Sequence, residues 1–204
     1  MSDDLPPSSH RTGKVGWLAR LFHRRDDGVE GRADIAAFLT ECRRKDLLIS
    51  EEHAMLQGVL KVSETQVRDI MVPRSHMVVL ELDDAPEMLL STIVDSGHSR
   101  FPVIGEDRDE VVGILLAKDL LRRGAEGLMS DSFEVKELLR PAVFIPESKR
   151  LNTLLTQFRE SHNHIAIVVD EYGGVAGLAT IEDVLEQIVG DIDDEHDIEE
   201  VEYI

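Results

Sequence analysis

A threonine and an aspartate three positions apart are the residues best placed to do chemistry in this chain. Thr180 follows the apolar run 175–179, which predicts a strand, and Asp183 lies in the first turn of the helix that the spacing of the next apolar residues predicts. Free backbone N–H groups and the positive end of the helix dipole favour an anion there. The pair therefore predicts either an anion site or a capping box, in which both side chains only satisfy helix-end donors.

The dipeptide Ser99-Arg100 is a second candidate, because it precedes the buried strand predicted at 101–104. The planar guanidinium of an arginine presents a fixed set of donors that suits a phosphate group. Arg100 is thus positioned to reach across a cleft to an anionic ligand. The alternative is a solvent-exposed arginine paired with an acid such as Glu106.

Metal binding and catalysis receive little support from the residue pattern. The chain has eight histidines, but His98 has no acidic neighbour in sequence, and His162 and His164 alternate across the entry to a strand, so we expect no protein metal site. The acidic run 191–202 offers oxygens that suit Mg²⁺, and equally fits a solvated linker. With no nucleophile–base pair, Walker loop or HExxH helix in the sequence, we do not expect an enzyme.

The elements that must position these residues occur twice. The matching segments are 67–73 with 135–141, 100–104 with 164–168, 112–114 with 176–178, and 118–119 with 182–183. The offset is 68 residues at the start and 64 afterwards, which indicates one shorter connection in the second copy. We predict an α+β fold of two tandem β-α-β-β-α repeats packed with pseudo-twofold symmetry, with a pair of clefts between them.

Apolar periodicity, helix caps and turn residues predict the bounds of the individual helices and strands. We expect strands at 77–82, 101–104 and 111–116, helices at 86–96 and 118–122, and a hairpin formed by 165–169 and 175–179. Two further helices, 34–45 and 50–62, precede the first repeat, with Asp34 and Ser50 as N-caps. The predicted divisions are a mobile arm (1–32), a helical segment (33–64), the two repeats (65–124 and 133–190) and an acidic tail (191–204).

Composition limits the class of protein. The chain has 204 residues, 42% of them hydrophobic, and a single cysteine, Cys42, which excludes an intrachain disulfide and fits a reducing cytosol. No apolar stretch is long enough for a membrane span, so we expect a cytoplasmic protein. A net charge of −19 opposes nucleic-acid binding. The short segment 17–25, apolar then basic, predicts either contact with a membrane surface or a partner protein, or an unstructured tail.

Three segments carry a resemblance to a known family: 67–75, 98–103 and 168–183. They resemble the tandem cystathionine-β-synthase (CBS) domain pair, or Bateman module, and more narrowly the CorC/HlyC family linked to magnesium and cobalt efflux. The resemblance covers about residues 33–198 and includes the start of the acidic tail. It implies that this tail begins a linker to a C-terminal domain that the present chain does not carry.

The resemblance also implies an adenine-nucleotide site for ATP or AMP, with Mg²⁺ accompanying the nucleotide. The Thr180 hydroxyl and the helix N-terminus would meet phosphate, and the Asp183 carboxylate would accept hydrogen bonds from the ribose. Because the first copy has Leu116 in place of the threonine, we expect one complete and one degraded site. The expected nucleotide-binding residues are Thr180, Asp183, Ser99, Arg100, Ser75, Pro102, Ile181 and Asp119.

Two functions from different classes fit these observations. The first is a regulatory module that senses ATP or AMP and signals to cation-transport machinery at the inner membrane. The second is a structural module for dimerisation and partner docking, with no nucleotide ligand. In either case the resemblance implies a face-to-face homodimer. We expect its contacts on the helices that follow each third strand, at Leu120, Leu121, Val184, Leu185 and Ile188.

Overall fold

The computed structural model describes residues 31–107, 109–126 and 134–190. Nearly all of the predicted N-terminal arm, most of the segment between the repeats and the acidic tail lie outside the described residues. The chain divides into two units, Met1–Ile49 and Ser50–Ile204. Among the described helices, none has both the length and the apolar character that crossing a membrane requires.

The first unit contributes helix α1 (Arg32–Arg44). Gly31 is its N-cap, and the Gly31 N–H donates to Asp34 Oδ2 at 3.2 Å. The prediction of Asp34 as the N-cap was therefore wrong, since its carboxylate closes the helix start from the third helical position.

The second unit carries both repeats. Its elements, in chain order, are α2 (Ser50–Val62), a 3₁₀ turn (Val67–Asp69), β1 (Val72–Pro73), a 3₁₀ turn (Arg74–His76), β2 (Leu80–Glu81), α3 (Pro86–Ser96), β3 (Arg100–Ile104), β4 (Val111–Leu116), α4 (Ala117–Ala125), a 3₁₀ turn (Val135–Leu138), β5 (Phe144–Pro146), α5 (Leu151–Ser161), β6 (Ile165–Val169), β7 (Val175–Thr180) and α6 (Ile181–Val189). Ser50 is the first residue of α2 rather than its cap. The order confirms the α+β fold with two β-α-β-β-α repeats.

Two sheets carry the repeats, one with strand order β2-β3-β4 and one with order β1-β7-β6-β5. In each, the first strand of the repeat runs parallel to the second, and the last two form an antiparallel hairpin. The strand predicted over 77–82 is shorter than expected, because only Leu80 and Glu81 pair with β3. Residues 77–79 have no strand partner within the described chain.

In the structure, β3 aligns with β6 one residue away from the alignment predicted from the sequence repeat. Arg100 lies opposite Leu116 in the first hairpin, and Ile165 lies opposite Thr180 in the second. Arg100 is thus equivalent to Ile165, and the predicted match of Arg100 with His164 was wrong. The second copy is shorter at two places, before β5 and in the β6–β7 turn, rather than at one. A continuous apolar run such as that of β6 can slide by one residue without breaking its pattern, which is why sequence did not fix the register.

The first residues of each repeat belong to the sheet of the other repeat. Val72 and Pro73 of β1 pair with Leu178 and Gly177 of β7. In the same way Arg140, before β5, bridges to Ile114 of β4 through hydrogen bonds of 2.8 and 3.0 Å. The repeats therefore exchange their lead-in segments.

A glycine stands wherever an exchanged segment crosses a strand. A Cβ atom on Gly177 would lie 2.3 Å from the Val72 carbonyl oxygen, and one on Gly113 would lie 2.8 Å from the Arg140 carbonyl oxygen. Both distances are shorter than a side chain tolerates, so the exchange requires glycine at these positions.

The hydrophobic core follows the same exchange. Val67, from the first lead-in segment, is buried with Phe158 and Val184 of the second repeat. Val135, from the second lead-in segment, is buried with Leu89 and Leu120 of the first repeat. A third cluster joins the two sheets and consists of Ile114, Ile165, Ile167, Val175 and Leu178.

A carboxylate adds a polar connection between the repeats. Asp109 Oδ1, in the turn of the first hairpin, lies 2.8 Å from Arg74 Nη1 and accepts a 2.9 Å hydrogen bond from the Val175 N–H. The segment after β1 and the start of β7 are thereby held by the same side chain.

We predict that Gly177→Ala destabilises the second unit by about 1–3 kcal/mol, because the new methyl group forces β1 away from β7. Gly113→Ala should cost less, since its contact is longer. Urea unfolding followed by circular dichroism measures both, and equal midpoints for Gly177→Ala and wild type would contradict the exchange as a stabilising contact.

Candidate functional site

A cleft with a volume of about 380 Å³ lies between the two repeats. Its walls come from the segment after β1, the start of β3, the end of β7 and the first turn of α6. The lining residues are Val72, His76, Met77, Val78, Gly97, His98, Ser99, Arg100, His164, Ile165, Leu178, Thr180, Glu182 and Asp183. This volume is within the range of about 300–1,000 Å³ typical of small-molecule sites.

The cleft brings together four of the residues singled out from the sequence: Ser99, Arg100, Thr180 and Asp183. The other four are not among its lining residues. Ser75 is exposed beside His76, Pro102 is buried in β3, Ile181 packs against the second-repeat core, and Asp119 lies in α4. Their contact with a nucleotide stays a prediction.

Backbone hydrogen bonds fix the helix that carries Thr180 and Asp183. The Ile181 N–H, at the start of α6, donates to the His164 carbonyl at 3.1 Å. In the first repeat, the Ala117 N–H makes the equivalent 3.0 Å bond to the Ser99 carbonyl. Each helix start is thereby tied to the residue that precedes the neighbouring strand.

Thr180 and Asp183 form the capping box that was the alternative reading of their spacing. Thr180 Oγ1 accepts from the Asp183 N–H at 3.2 Å, and Asp183 Oδ2 accepts from the Thr180 N–H at 2.7 Å. Neither bond uses the hydroxyl hydrogen of Thr180 or the second carboxylate oxygen of Asp183. The cap therefore orients both side chains at the cleft without exhausting their hydrogen-bonding capacity.

Arg100 supplies the permanent positive charge of the cleft lining. It is half-buried at the start of β3. Within the described part of the chain no ion pair involves Arg100, and the alternative pairing with Glu106 does not form. Arg100 and the N-terminus of α6 line the same cleft, so a guanidinium here can donate to an anion bound in it.

Three histidines also line the cleft, and the sequence reasoning missed them as a group: His76, His98 and His164. They are far apart in sequence, so only the exchange of the lead-in segments places His76 beside the other two. His164 Nδ1 lies 3.7 Å from Glu182 Oε1, and the His98 ring centroid lies 6.1 Å from that of Phe101. Among the described residues, no group of three or more His, Cys, Asp and Glu side chains is arranged to hold a metal ion.

The equivalent positions in the first repeat differ in chemistry. Leu116 replaces Thr180, caps α4 without a side-chain hydrogen bond and is 8% exposed. Asp119 Oδ2 accepts from Arg140 Nη2 at 3.1 Å, and Asp119 Oδ1 lies 3.7 Å from Arg122 Nη2. The first-repeat carboxylate is thus engaged by two arginines.

The helix faces expected to form a dimer are partly internal. Leu120 and Val184 are fully buried in the cores of their own repeats, so their assignment as exposed dimer contacts was wrong. Leu121 and Leu185, one position further along, are 46% and 41% exposed. Successive helix residues point about 100° apart, which explains why one of each pair faces the core.

Comparison with known proteins shows which class of domain the chain contains and which family it belongs to. The sequence profile of the CBS domain matches residues 67–126 and 135–190, which makes the second unit a tandem CBS domain pair. The chain is 44% identical over 200 residues to a magnesium and cobalt efflux protein CorC of Vibrio cholerae, and 44% identical over 208 residues to that of Escherichia coli K12. Each alignment covers 98% of this chain and 68% of the relative. The chain therefore belongs to the CorC family, as its sequence motifs predicted.

Solved structures agree with this assignment. A conserved domain of unknown function from Neisseria meningitidis MC58 superposes with a TM-score of 0.69 at 47% identity, covering 74% of this chain and 97% of the other. The CBS domain of a bacterial CNNM/CorC family Mg²⁺ transporter in complex with ATP has a TM-score of 0.65 at 42% identity and coverages of 69% and 99%. A CBS-domain pair from Klebsiella pneumoniae with bound AMP gives 0.52 at 31%, with coverages of 62% and 99%.

We predict that Thr180→Val destabilises the second unit by about 1 kcal/mol, because it removes the oxygen that caps α6 while keeping the shape of the side chain. Thr180→Ser is the matched control, since it keeps the oxygen. Thermal unfolding without ligand measures the difference, and identical curves for the two variants would argue against the cap.

Proposed function

We propose that the chain is the regulatory, nucleotide-binding part of a cation-homeostasis protein, with ATP or AMP as the ligand of the cleft. The observation that carries this proposal is the convergence of Arg100 and the capped helix start at Thr180 and Asp183 on one cavity. The similar CBS structures that contain ATP or AMP support the choice of an adenine nucleotide.

The residues of the cleft fit such a ligand in size and in chemistry. The Thr180 hydroxyl and the N-terminus of α6 would bind phosphate, with Arg100 and Ser99 as further donors. The Asp183 carboxylate would accept from the ribose hydroxyls. Val72, Met77 and other apolar lining residues would contact the base. Mg²⁺ would enter on the phosphates, which suit this hard cation.

One nucleotide per chain is the stoichiometry that the two repeats favour. The Asp119 carboxylate is paired with Arg140, and Leu116 offers no hydroxyl. A ligand at this position would have to break the ion pair before it gained a hydrogen bond.

The names of the relatives supply the cellular context. They are magnesium and cobalt efflux proteins, and this chain spans about two thirds of their length. We propose that nucleotide occupancy of the cleft is transmitted to magnesium and cobalt efflux at the cytoplasmic face of the inner membrane. Because the ligand would contact both repeats, its binding can favour one arrangement of the pair.

We predict that Asp183→Ala weakens ATP or AMP binding by about 1.5–3 kcal/mol, or tenfold to a hundredfold, because the ribose hydrogen bonds are lost. Asp119→Ala is the matched control and should bind with nearly wild-type affinity. Isothermal titration below the melting temperature of each variant provides both values. A larger loss for Asp119→Ala would place the site in the other repeat.

The second candidate function, a structural dimerisation and docking module, makes a different prediction. A ligand of the native state at a hundredfold excess over its Kd stabilises by about 2.7 kcal/mol, which raises the melting temperature. We expect this shift with ATP or AMP in the presence or absence of Mg²⁺. No shift with any of these ligands would favour the structural module.

We also predict a homodimer formed through the helix surfaces that contain Leu121 and Leu185, because these side chains leave apolar area exposed. Leu121→Glu and Leu185→Glu should shift light-scattering mass toward the monomer. Val94→Glu, at an exposed position on α3, is the control. A wild-type monomer at micromolar concentrations, with and without nucleotide, would refute the dimer.

A further inference from the structure

The permanent charges of the cleft do not balance those of a nucleotide. Among its lining residues, Arg100 is the only side chain that is cationic at every physiological pH, whereas Glu182 and Asp183 are both acidic. The whole chain carries a net charge of −19. A phosphate group entering this cleft brings about two further negative charges at neutral pH. A source of positive charge besides Arg100 and the N-terminus of α6 would therefore strengthen binding.

The three cleft histidines can supply that charge. His76 lies in the 3₁₀ turn after β1, His98 lies between α3 and β3, and His164 immediately precedes β6. All three are solvent-exposed. An ordinary imidazole changes charge between about pH 5 and 8, which makes histidine a cation only when a proton is taken up.

We propose that binding of the nucleotide is coupled to proton uptake by His76, His98 and His164. This inference rests on the nucleotide site proposed above. The phosphate charge stabilises each imidazolium, and each imidazolium in turn strengthens phosphate binding.

The charged groups around the histidines include both acidic and basic side chains. Glu182 Oε1 lies 3.7 Å from His164 Nδ1, and Asp183 and Arg100 line the same cleft. Arg74 lies two residues before His76 in sequence, and its charge is offset by its ion pair with Asp109.

Mg²⁺ and protons are alternative sources of the same charge. A cation on the phosphates lowers the charge that the histidines must offset, so proton uptake is expected to be smaller for the Mg²⁺ complex than for free nucleotide. Nucleotide occupancy would then depend most strongly on pH when Mg²⁺ is scarce.

Calorimetry with ATP tests the coupling directly. Titrations in two buffers of different ionisation enthalpy, with EDTA and then with Mg²⁺, give the number of protons taken up on binding. For wild type we expect net uptake near neutral pH in EDTA and less uptake with Mg²⁺. The triple variant His76→Gln, His98→Gln, His164→Gln should lose this protein-derived uptake, and its affinity should fall about tenfold or more at the acidic end of the histidine range.

The terminal phosphate of ATP also titrates near pH 6, so the proton count is made at about pH 7.5–8, where the phosphate is already ionised and uptake comes from the protein. His53→Gln, on α2 and outside the cleft lining, is the matched control and should behave as wild type. ATP binding with equal proton uptake in wild type and triple variant would overturn the coupling and leave the nucleotide site standing. Zero uptake by wild type overturns it even if the triple variant does not fold. No ATP binding at any pH, with or without Mg²⁺, would overturn the nucleotide site as well.

Discussion

The rest of the structure depends on two close approaches between backbone segments, one at Gly177 and one at Gly113. At each glycine the lead-in segment of one repeat crosses a strand of the other, at a distance that a Cβ atom would prevent. The crossing turns β1 into a strand of the second sheet. It also buries Val67 in the core of the second repeat and Val135 in that of the first. Neither repeat can complete its sheet or its core without the other.

The cleft is composite for the same reason. Its wall after β1 belongs by sequence to the first repeat but is anchored on the second, and it faces the capped start of α6. Arg100 arrives from the first repeat on β3, which pairs with β4 and not with the second sheet. A ligand that contacts Arg100 and Thr180 would therefore contact both sheets. Binding of such a ligand would act directly on the arrangement of the two repeats, without a separate transmitting element.

Helix caps and turn residues in the sequence predicted the helices and strands better than the contacts between them. Thr180 and Asp183 specified a helix start because the cap depends only on neighbouring residues. Gly97, with φ +67, ended α3 where expected. The exchange, in contrast, leaves only a glycine in each hairpin as its signal, and an isolated glycine in a strand has several explanations. The pairing of Asp119 with Arg140 joins residues from different elements, so only the fold reveals the charged side chains at the start of α4.

The exchange also explains why the starts of α4 and α6 differ. Val72 and Arg140 occupy equivalent positions in the two lead-in segments, opposite Leu178 and Ile114. The apolar Val72 side chain lines the cleft beside the capped α6 and leaves Asp183 unpaired with any cation in the described chain. Arg140 instead reaches Asp119, where Leu116 provides no hydroxyl. A partly buried carboxylate is stabilised by hydrogen bonds or by a neighbouring cation. The first repeat supplies a cation from within the fold, whereas the described part of the second repeat supplies Asp183 only with the hydrogen bond from the Thr180 N–H.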